Sequence, residues 1–471
     1  MRRTKIVSTI GPASRDPGVL ERLIQAGVDV ARLNFSHGSH EDHLAVMRAA
    51  REIAARLDRP LALLQDLSGP KIRTGRMKGN EPTELKDGAR VRITTDLSVE
   101  GTAALISTTY APLPHDLVPG DQILLDDGNI ELKVVGIADG IVDCEVVDGG
   151  ILKPSKGMNL PGARLSTPAL TEKDRKDLAF GVQNGVDYVA LSFVRRPADV
   201  LEAKALIREL GGSQPLIAKI EKREAIEALD SLLEATDGVM VARGDLGVEV
   251  STESVPTLQK QIIKKANALG KAVITATQML ESMIDNPRPT RAEASDVANA
   301  ILDGTDAVML SAESASGRYP VEAVATMARI ADFTEEHYGF GGPGQLTGKV
   351  GSDVARSLAR VASTVAEELG CKLIVCFTES GATARVVSAF RPRVPIAAIT
   401  HDENVHRQLA LWWGVVPVKS EFSKTTDEMV LRGEELLKRR HLAASGERVV
   451  MLAGHSHTAG ATNMLRVHTV R

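Results

Sequence analysis

Short apolar runs of strand length recur along the chain and alternate with segments in which apolar residues follow a helical period. Eight such runs begin at Lys5, Val30, Leu61, Tyr188, Leu216, Val239, Ala272 and Ala307. Near-continuous apolar strands that alternate with amphipathic helices are typical of a parallel sheet buried on both faces. Eight strand–helix units predict a closed (β/α)8 TIM barrel.

Three of the predicted helices have a capping-box pattern, in which a hydroxyl residue is followed three positions later by an acidic one. The pairs are Ser39 with Asp42, Thr171 with Asp174, and Thr290 with Glu293. We expect a helix to begin directly after each hydroxyl residue.

The pattern changes twice along the chain. Residues 70–168 contain short Val, Ile and Thr runs separated by Gly, Asp and Pro, which is typical of a small all-β domain. We expect an inserted β-barrel lid domain there, between barrel residues 1–69 and 169–337. A Gly-rich linker, F-G-G-P-G-Q-L-T-G, then opens residues 338–471, where helices and strands predict a C-terminal α/β domain. In that domain we expect helices at 352–369 and 382–390 and strands at 373–378, 396–400, 415–418 and 448–452.

Polar side chains stand near the carboxyl ends of six of the eight predicted strands. They are Arg32, Asn34 and Ser36, then Asp66, then Lys219 and Glu221, then Asp245, then Thr277, and finally Ser311 and Glu313. Barrel enzymes keep their active sites at this end of the strands. A lysine between two carboxylates is costly to desolvate unless a divalent metal and an anionic substrate are involved, so the pattern predicts phosphate chemistry.

Each of these residues also has a structural interpretation. Arg32 alone fits an ion pair, and a threonine at a strand end, such as Thr277, usually caps the next helix. Glu221 and Asp245 could form salt bridges to a neighbouring lysine or arginine. The conjunction of all of them on one rim favours the functional interpretation.

Composition narrows the class of protein. The chain has 57 Lys and Arg residues against 61 Asp and Glu, a net charge of -4. It therefore lacks the excess of basic residues that is typical of nucleic-acid-binding proteins. The three cysteines have neither a disulfide framework nor zinc-site spacing, which suits a reducing cytosol. No apolar run is long enough to span a membrane, and the N-terminus lacks a signal-peptide pattern. We therefore expect a cytoplasmic protein without nucleic-acid or membrane partners.

Longer motifs resemble those of a known family. The chain contains A-R-L-N-F-S-H-G, G-P-K-I-R-T-G, K-G-M-N-L-P-G, K-I-E, M-V-A-R-G-D-L-G-V-E, A-T-Q-M-L-E-S-M and P-T-R-A-E-A-S-D-V-A-N-A. Together they are similar to the motifs of pyruvate kinase, and the resemblance extends from Thr4 to the final N-M-L-R-V-H-T-V. It implies phosphoryl transfer from phosphoenolpyruvate to ADP, giving ATP and pyruvate in the last step of glycolysis. It also implies a cytoplasmic homotetramer, in which the C-terminal α/β domain serves regulation and oligomerisation.

The resemblance also implies roles for the rim residues. Glu221 and Asp245 match the family's metal ligands, whose hard oxygens suit Mg2+, with Mn2+ as an alternative. Lys219 matches the lysine that stabilises the transferring phosphoryl group and the developing enolate. Arg32 and Arg73 match arginines on the phosphoryl groups, where a forked guanidinium fits well.

Further residues follow from the same motifs. The main-chain N–H groups of Gly244 and Asp245, at a helix start, match the binding site for the substrate carboxylate. Thr277 matches the threonine that helps deliver a proton to the enolate through water. The nucleotide-facing positions are Asn34, His37, Arg73, Asp127 and Lys156. We expect the inserted domain to close over the barrel and exclude water.

One position departs from the family's best-known members. Many pyruvate kinases need K+, which is bound by positions that match Asn34, Ser36, Asp66 and the carbonyl of Leu67. Those members have glutamate where this chain has Lys71, and threonine where it has Leu67. A lysine could supply the missing positive charge internally, so we expect activity that is independent of K+. The alternative is that Lys71 merely points to solvent.

The C-terminal segment T-E-S-G-A-T resembles the loop that holds an effector's phosphate in regulated members. Its effector residues would be Thr378, Ser380, Gly381 and Thr383. Glu379 stands where some members regulated by fructose 1,6-bisphosphate have lysine, so we expect a monophosphate such as AMP or a sugar monophosphate. The alternative is a simple tight turn between a strand and a helix.

Two other functions stay open. A different metal-dependent barrel enzyme could act on phosphoenolpyruvate or another oxoacid through an enolate, but the insert with Asp127 and Lys156 argues for nucleotide handling. A catalytically silent regulatory homologue would be free to lose residues of the site, and this chain keeps the full set. We also expect the additional phosphohistidine-type domain of some relatives to be missing, since none follows Arg471.

Overall fold

The computed structural model describes residues 1–163, 165–338, 351–423, 425–454 and 462–471. The predicted Gly-rich linker at 340–348 lies outside the described residues. The first elements are β1 Lys5–Thr9, α1 Pro17–Ala26, β2 Val30–Asn34, α2 His40–Arg56 and β3 Ala62–Asp66. The next are β4 Thr83–Leu85, β5 Arg90–Thr94, β6 Leu105–Ser107, α3 Leu113–Asp116, β7 Gln122–Leu125, β8 Ile130–Ala138, β9 Ile141–Asp148, β10 Gly150–Leu152 and β11 Met158–Asn159.

Strands and helices then alternate as far as residue 338. They are α4 Glu172–Gln183, β12 Tyr188–Leu191, α5 Pro197–Glu209, β13 Leu216–Ile220, α6 Arg223–Glu227, α7 Leu229–Ala235, β14 Gly238–Ala242, α8 Arg243–Glu249, α9 Val255–Ala268, β15 Ala272–Ala276, α10 Arg291–Leu302, β16 Ala307–Leu310, α11 Ala312–Ala315 and α12 Pro320–Tyr338. The last part contains α13 Asp353–Glu368, β17 Ile374–Phe377, α14 Ala382–Ala389, β18 Ile396–Thr400, α15 Glu403–Gln408, β19 Val415–Lys419, α16 Thr426–Arg439, β20 Arg448–Gly454 and β21 Thr462–Thr469.

Eight parallel strands close into a barrel in the order β1-β16-β15-β14-β13-β12-β3-β2. All eight predicted runs form these strands, which confirms the barrel. The three predicted capping boxes are present too: the hydroxyls of Ser39, Thr171 and Thr290 each accept from the amide three residues on, and the acidic side chain there accepts in return. These local bonds fix where α2, α4 and α10 begin.

The residues between β3 and α4 form a six-stranded sheet, β11-β7-β8-β9-β5-β6, and a two-stranded one, β10-β4, around a separate apolar core. This insert contacts the loops that follow barrel strands. Arg195, after β12, donates from Nη1 to the Leu165 carbonyl at 2.6 Å, and Asn159 Nδ2 lies 3.2 Å from Oε1 of Glu249. The insert therefore lies at the end of the barrel where the site residues are expected.

The C-terminal part has a five-stranded sheet, β19-β18-β17-β20-β21, flanked by helices, as expected for an α/β domain. The strand β21 is antiparallel to β20 and was not predicted, because its partly exposed sequence T-N-M-L-R-V-H-T lacks a continuous apolar run. The helices α15 and α16 were also missed. The exact domain bounds remain a prediction. Among the described residues, no helix is long and apolar enough to cross a membrane.

Candidate active site

A buried lysine stands at the centre of the rim, near the end of β13. Lys219 Nζ lies 2.8 Å from Oε1 of Glu221 and 3.3 Å from Oδ1 of Asp66, and it donates to Oγ of Ser192 at 2.8 Å. Burial alone would lower the pKa of Lys219, but the carboxylates of Asp66 and then Glu221 raise it above its ordinary value. The side chain is therefore a fixed ammonium between two carboxylates.

Asp66 connects this lysine to the second strand. Arg32 Nε lies 2.6 Å from Oδ2 of Asp66, and Arg32 Nη1 donates to Oγ1 of Thr9 at 2.8 Å. Burial would raise the pKa of Asp66, but Lys219 and Arg32 together hold it below the usual value. The structural ion pair expected as the alternative for Arg32 is thus present. A guanidinium has five N–H donors, so the pair leaves others for a phosphoryl group.

The two predicted metal ligands differ in their surroundings. Glu221 is buried, and its Oε2 accepts from the Phe193 amide at 2.8 Å. Burial, with the negative charge of Asp245, raises the pKa of Glu221 against the opposing effect of Lys219. Asp245, in the first turn of α8, lines the cleft between barrel and insert, and its carboxylate has no hydrogen bond or ion pair with the described residues.

The possible salt bridge from Arg243 to these carboxylates is not formed. Arg243 turns away and pairs with Asp296, with Nη1 2.8 Å from Oδ2, and its Nη2 donates to the Thr277 carbonyl at 2.6 Å. Asp245 therefore keeps its oxygens available in the cleft.

The donor set fits a magnesium ion. Glu221 and Asp245 supply hard carboxylate oxygens, and no cluster of three or more His, Cys, Asp or Glu side chains that could hold a metal occurs in the described part of the chain. Magnesium typically takes one or two carboxylates and completes its octahedron with water and substrate oxygens. A closed cage of protein ligands, as structural zinc requires, is absent from these residues.

Thr277 follows β15 with a positive φ of 68°. Its Oγ1 donates to the Ala276 carbonyl at 2.6 Å and accepts from the Gly244 amide at 2.8 Å. The threonine thus links the loops after β14 and β15 and does not cap the helix that follows. One of the two amides expected to hold a substrate carboxylate is thereby engaged by this hydroxyl.

The nucleotide-facing positions divide between barrel and insert. In the insert, Arg73 Nη1 donates to the Ser155 carbonyl at 3.1 Å, and Lys156 Nζ pairs with Oδ1 of Asp126 at 2.7 Å, while Asp127 is exposed. On the barrel side, the His37 side chain is exposed over most of its surface. Partial withdrawal of its ring from water, followed by the charge of Arg73, lowers the pKa of His37. Arg73 is therefore near enough to act across the cleft.

In the region where relatives bind a monovalent cation, two of the oxygens that would be its ligands already accept hydrogen bonds from protein groups. Ser192 donates from Oγ to the Leu67 carbonyl at 2.7 Å, Asn34 Oδ1 accepts from the Ser36 amide at 3.1 Å, and Ser36 Oγ lies 3.3 Å from that of Ser68. Lys71 is exposed and forms no ion pair with Asp66 or any other described carboxylate. The solvent-facing alternative for this lysine therefore stays open.

The predicted effector segment forms the turn from β17 to α14. Gly381 precedes the helix with a φ of 77°, where an L side chain would be strained. Thr383 is buried and shares a 2.6 Å hydrogen bond with Thr462 Oγ1, whereas Ser380 is half-buried. Thr378 binds the Ile399 carbonyl through its amide at 3.0 Å. The tight strand-to-helix turn, which was the alternative interpretation of this segment, is thus present. Its presence does not decide whether the turn also binds the phosphate of an effector.

Two polar residues of this rim, Thr9 and Ser192, were not predicted from the sequence. Ser192 stands between Lys219 and the Leu67 carbonyl at the end of the fourth barrel strand. The available indication was a lone hydroxyl in the run Y-V-A-L-S-F-V. A serine in a strand end is common, so only the neighbouring strands reveal its role.

Comparisons with known proteins agree over the whole chain. A family model described as pyruvate kinase, barrel domain, matches residues 1–324, and one described as pyruvate kinase, alpha/beta domain, matches residues 356–468. Pyruvate kinase 2 of Synechocystis sp. is 48% identical, covering 100% of this chain and 80% of the relative. Pyruvate kinase of Staphylococcus aureus strain MRSA252 is 47% identical, covering 100% and 81%. A crystal structure of a pyruvate kinase from Cryptosporidium parvum matches with a TM-score of 0.93 and 38% identity, covering 100% and 96%.

Proposed function

Because the chain belongs to the pyruvate kinase family, we propose that its barrel rim carries out a Mg2+-dependent transfer of the phosphoryl group of phosphoenolpyruvate to ADP. The observation that carries this proposal is the buried ammonium of Lys219, held between Asp66 and Glu221. Phosphoryl transfer depends on positioning and charge neutralisation, and this group provides both. A coupled assay of ATP and pyruvate formation tests it.

The reaction breaks the bond between phosphorus and the enol oxygen and forms one from phosphorus to a β-phosphate oxygen of ADP. Lys219 faces the charge that develops on both oxygens. Arg32 and Arg73 present guanidinium forks to the phosphoryl group. Glu221 and Asp245 would hold Mg2+, which when bound neutralises negative charge on the phosphoryl and enolate oxygens.

The enolate then takes a proton at its methylene carbon. Thr277 is the candidate for delivering this proton through water, and its hydroxyl now donates to the Ala276 carbonyl. The amides of Gly244 and Asp245 would hold the substrate carboxylate in the first turn of α8. This requires Thr277 to release the Gly244 amide, so carboxylate binding and proton delivery would be coupled at this threonine.

Closure of the insert over the barrel would bring Asp127 and Lys156 onto the nucleotide together with Asn34 and His37. It would also keep water from the phosphoryl donor. Limited proteolysis of the insert tests closure: cleavage should slow when Mg2+ and both substrates are added. Unchanged cleavage would count against a moving lid.

We propose that catalysis does not require K+. The support is Lys71, a cation in a position where K+-dependent relatives carry glutamate, together with the Leu67 carbonyl, which already accepts from Ser192. The same enzyme should accept Mn2+ in place of Mg2+, since both are bound by carboxylate and water oxygens.

Regulation and assembly are proposals of the same kind. A monophosphate effector, AMP or a sugar monophosphate, would bind the turn from Thr378 to Thr383, and the enzyme would work in the cytoplasm as a homotetramer. Activation by AMP or glucose 6-phosphate should be lost in Ser380→Asp, which places a negative charge in the turn. Unaltered activation would discard this site, and a light-scattering mass of a monomer would discard the tetramer.

A further inference from the structure

Four aspartates stand at the floor of the barrel, each directly before an even-numbered strand of the closed sheet. They are Asp29, Asp187, Asp237 and Asp306, ahead of β2, β12, β14 and β16. Each carboxylate accepts from an amide of the preceding strand in the barrel; the donors are Ile6 at 2.8 Å, Leu63 at 2.7 Å, Leu216 at 2.8 Å and Val273 at 2.9 Å. The floor is thus built with an approximate fourfold pattern.

The C-terminal domain forms ion pairs with two of these four aspartates. Arg407 Nε lies 2.8 Å from Oδ1 of Asp187, and Arg391 Nη1 lies 2.9 Å from Oδ1 of Asp306. Asp237 lies between these two interdomain ion pairs, which we call clamps, because β14 lies between β16 and β12 in the barrel order. Its partner is Lys204 of the barrel itself, at 2.8 Å.

A cavity of about 1060 Å3 opens at this unclamped position, between the barrel floor and the C-terminal domain. The barrel contributes Lys204, Asp237 and Lys271 to its lining, and the C-terminal domain contributes Arg385 and Trp412. The volume is slightly larger than the roughly 300–1,000 Å3 of typical small-molecule pockets. The floor therefore has room for a ligand that touches both domains.

The charge of this lining is unbalanced. Four cations face two carboxylates; they are Lys204, Arg208, Lys271 and Arg385 against Glu234 and Asp237. Asp237 is already engaged by Lys204 and by the Leu216 amide. The lining therefore favours an anion.

Both arginines of the cavity lining have N–H donors that no described residue accepts. The guanidinium of Arg385 lies over the Trp412 ring, 5.8 Å from its centroid, so stacking occupies its face and leaves the N–H groups at its edge. Neither Arg385 nor Arg208 has a side-chain hydrogen bond or ion pair with the described residues. Lys271 donates only to the Thr236 carbonyl at 2.7 Å, and an ammonium has three donors.

We propose that this cavity is a second anion site, which binds a phosphate-bearing metabolite between Arg385 of the C-terminal domain and Arg208 and Lys271 of the barrel. A phosphate group has enough oxygens for two guanidinium forks and an ammonium at once, which a single carboxylate does not. The cavity borders the Thr378–Thr383 turn at Ala382, but its proposed donors lie outside that turn, and the site does not depend on the effector proposal there. The two are joined by α14, which starts at that turn and carries Arg385 into the cavity.

Calorimetric titration tests the site with three probes that share the phosphate group: AMP, glucose 6-phosphate and inorganic phosphate. The parent protein is the full chain with Ser380→Asp, so that binding in the turn does not contribute. Comparison of the three probes shows whether a nucleotide, a sugar or the phosphate alone is recognised. Arg385→Gln and Arg208→Gln are then introduced separately, with Arg22→Gln on α1, outside the cavity, as the matched control.

We expect at least one probe to bind the parent and to bind each cavity variant at least tenfold more weakly, with the Arg22→Gln control unchanged. Arg208 is exposed, so its variant keeps the fold even if loss of the Arg385–Trp412 contact disturbs the other one. Far-UV circular dichroism checks both. Equal binding by the parent and the Arg208→Gln protein would overturn the proposal, as would a parent that binds none of the three probes.

Discussion

Lys219 Nζ lies 2.8 Å from Oε1 of Glu221, and the two residues stand only two positions apart at the end of β13. Both side chains are almost fully withdrawn from solvent. The ammonium therefore neutralises a carboxylate that burial would otherwise protonate, and the carboxylate holds the ammonium in place. The phosphoryl-transfer proposal depends on this arrangement.

Removing the ammonium should abolish most of the activity. Lys219→Gln keeps a polar side chain of similar length but leaves Glu221 without its counter-charge, and it removes the cation that faces the developing enolate. We expect kcat to fall by about 10²–10³-fold, the loss typical for a single transition-state donor. Steady-state kinetics with phosphoenolpyruvate and ADP measure it. Lys176→Gln, exposed on α4, is the control, and a Lys219→Gln enzyme as active as that control would refute the role.

Ser192 should act as a positioning residue through Lys219. Ser192→Ala removes the acceptor for the ammonium and the donor to the Leu67 carbonyl. A hydrogen bond to a charged group contributes about 1.5 kcal/mol, which corresponds to about tenfold in kcat. The KM for ADP should not change, because the hydroxyl does not face the nucleotide. Ser231→Ala, on an exposed helix surface, is the control. A change confined to KM would contradict this role.

Lys71→Glu should convert the enzyme to K+ dependence. The substitution adds a negative charge beside an anionic site, so catalysis should need an external monovalent cation. We expect activity without K+ to fall at least about tenfold, or 1.4 kcal/mol, and to recover on adding K+. Lys78→Glu is the control, because it makes the same change of charge at another exposed lysine of the insert. If the two variants respond alike to K+, Lys71 does not fill the cation site.

The clamp between Asp306 and Arg391 should contribute to stability. Asp306→Ala leaves the buried Val273 amide without its acceptor and removes the carboxylate that pairs with Arg391, whose Nη2 keeps its bonds to Asn267 and to the Gly304 carbonyl. Breaking a buried pair on one side costs about 3–5 kcal/mol. The guanidinium of Arg391 also lies over the Trp413 ring at 5.0 Å, so tryptophan fluorescence during urea unfolding reports on this junction. Asp353→Ala, at a side chain that is 92% exposed, should leave the urea midpoint unchanged.

His406 should make the protein less stable in acid. Both ring nitrogens are buried without a hydrogen-bond partner among the described residues, and burial lowers the pKa of His406 to about 4. The charged groups facing it are Glu403, Arg407, Lys419 and Arg440. The unfolded chain binds the proton near pH 6.5 and the folded one only near 4, so stability is full above 6.5 and falls as the pH drops through this window.

The expected loss over that window is about 3 kcal/mol for this one group. His406→Phe replaces the ring by an apolar one of similar shape and should remove this part of the pH dependence. Thermal unfolding of both proteins between pH 7 and 4 measures the difference. The exposed His337→Phe serves as the control. Parallel pH profiles for wild type and His406→Phe would contradict the prediction.

The barrel could be predicted from sequence because its determinants are local. Each strand is an apolar run, each of three helices has its own capping box, and the parallel order brings the carboxyl ends of the strands together. The convergence of Lys219, Glu221 and Asp66 follows from that geometry alone. The edge strand β21 escaped prediction because its stability comes from pairing with β20 and not from an apolar run.

Side-chain partners were harder to foresee than positions. Lys156 forms its ion pair with Asp126 and not with the adjacent Asp127. Both aspartates have positive φ values in a turn, and the sequence does not show which of the two side chains that turn directs toward the lysine. Thr277 accepts from the Gly244 amide of the neighbouring loop, in addition to its local bond to the Ala276 carbonyl. Such contacts join distant segments, so only the folded structure shows them.

The most direct measurement is the formation of ATP and pyruvate from phosphoenolpyruvate and ADP with Mg2+, in buffers whose only monovalent cation is a bulky organic one, repeated with added K+. We predict full activity in both, because Lys219, Glu221 and Asp245 suffice with the metal and Lys71 replaces K+. Activity only with K+ would keep the reaction and contradict the role of Lys71. No activity in either, even with AMP and sugar phosphates present, would contradict the proposed function and favour a catalytically silent homologue.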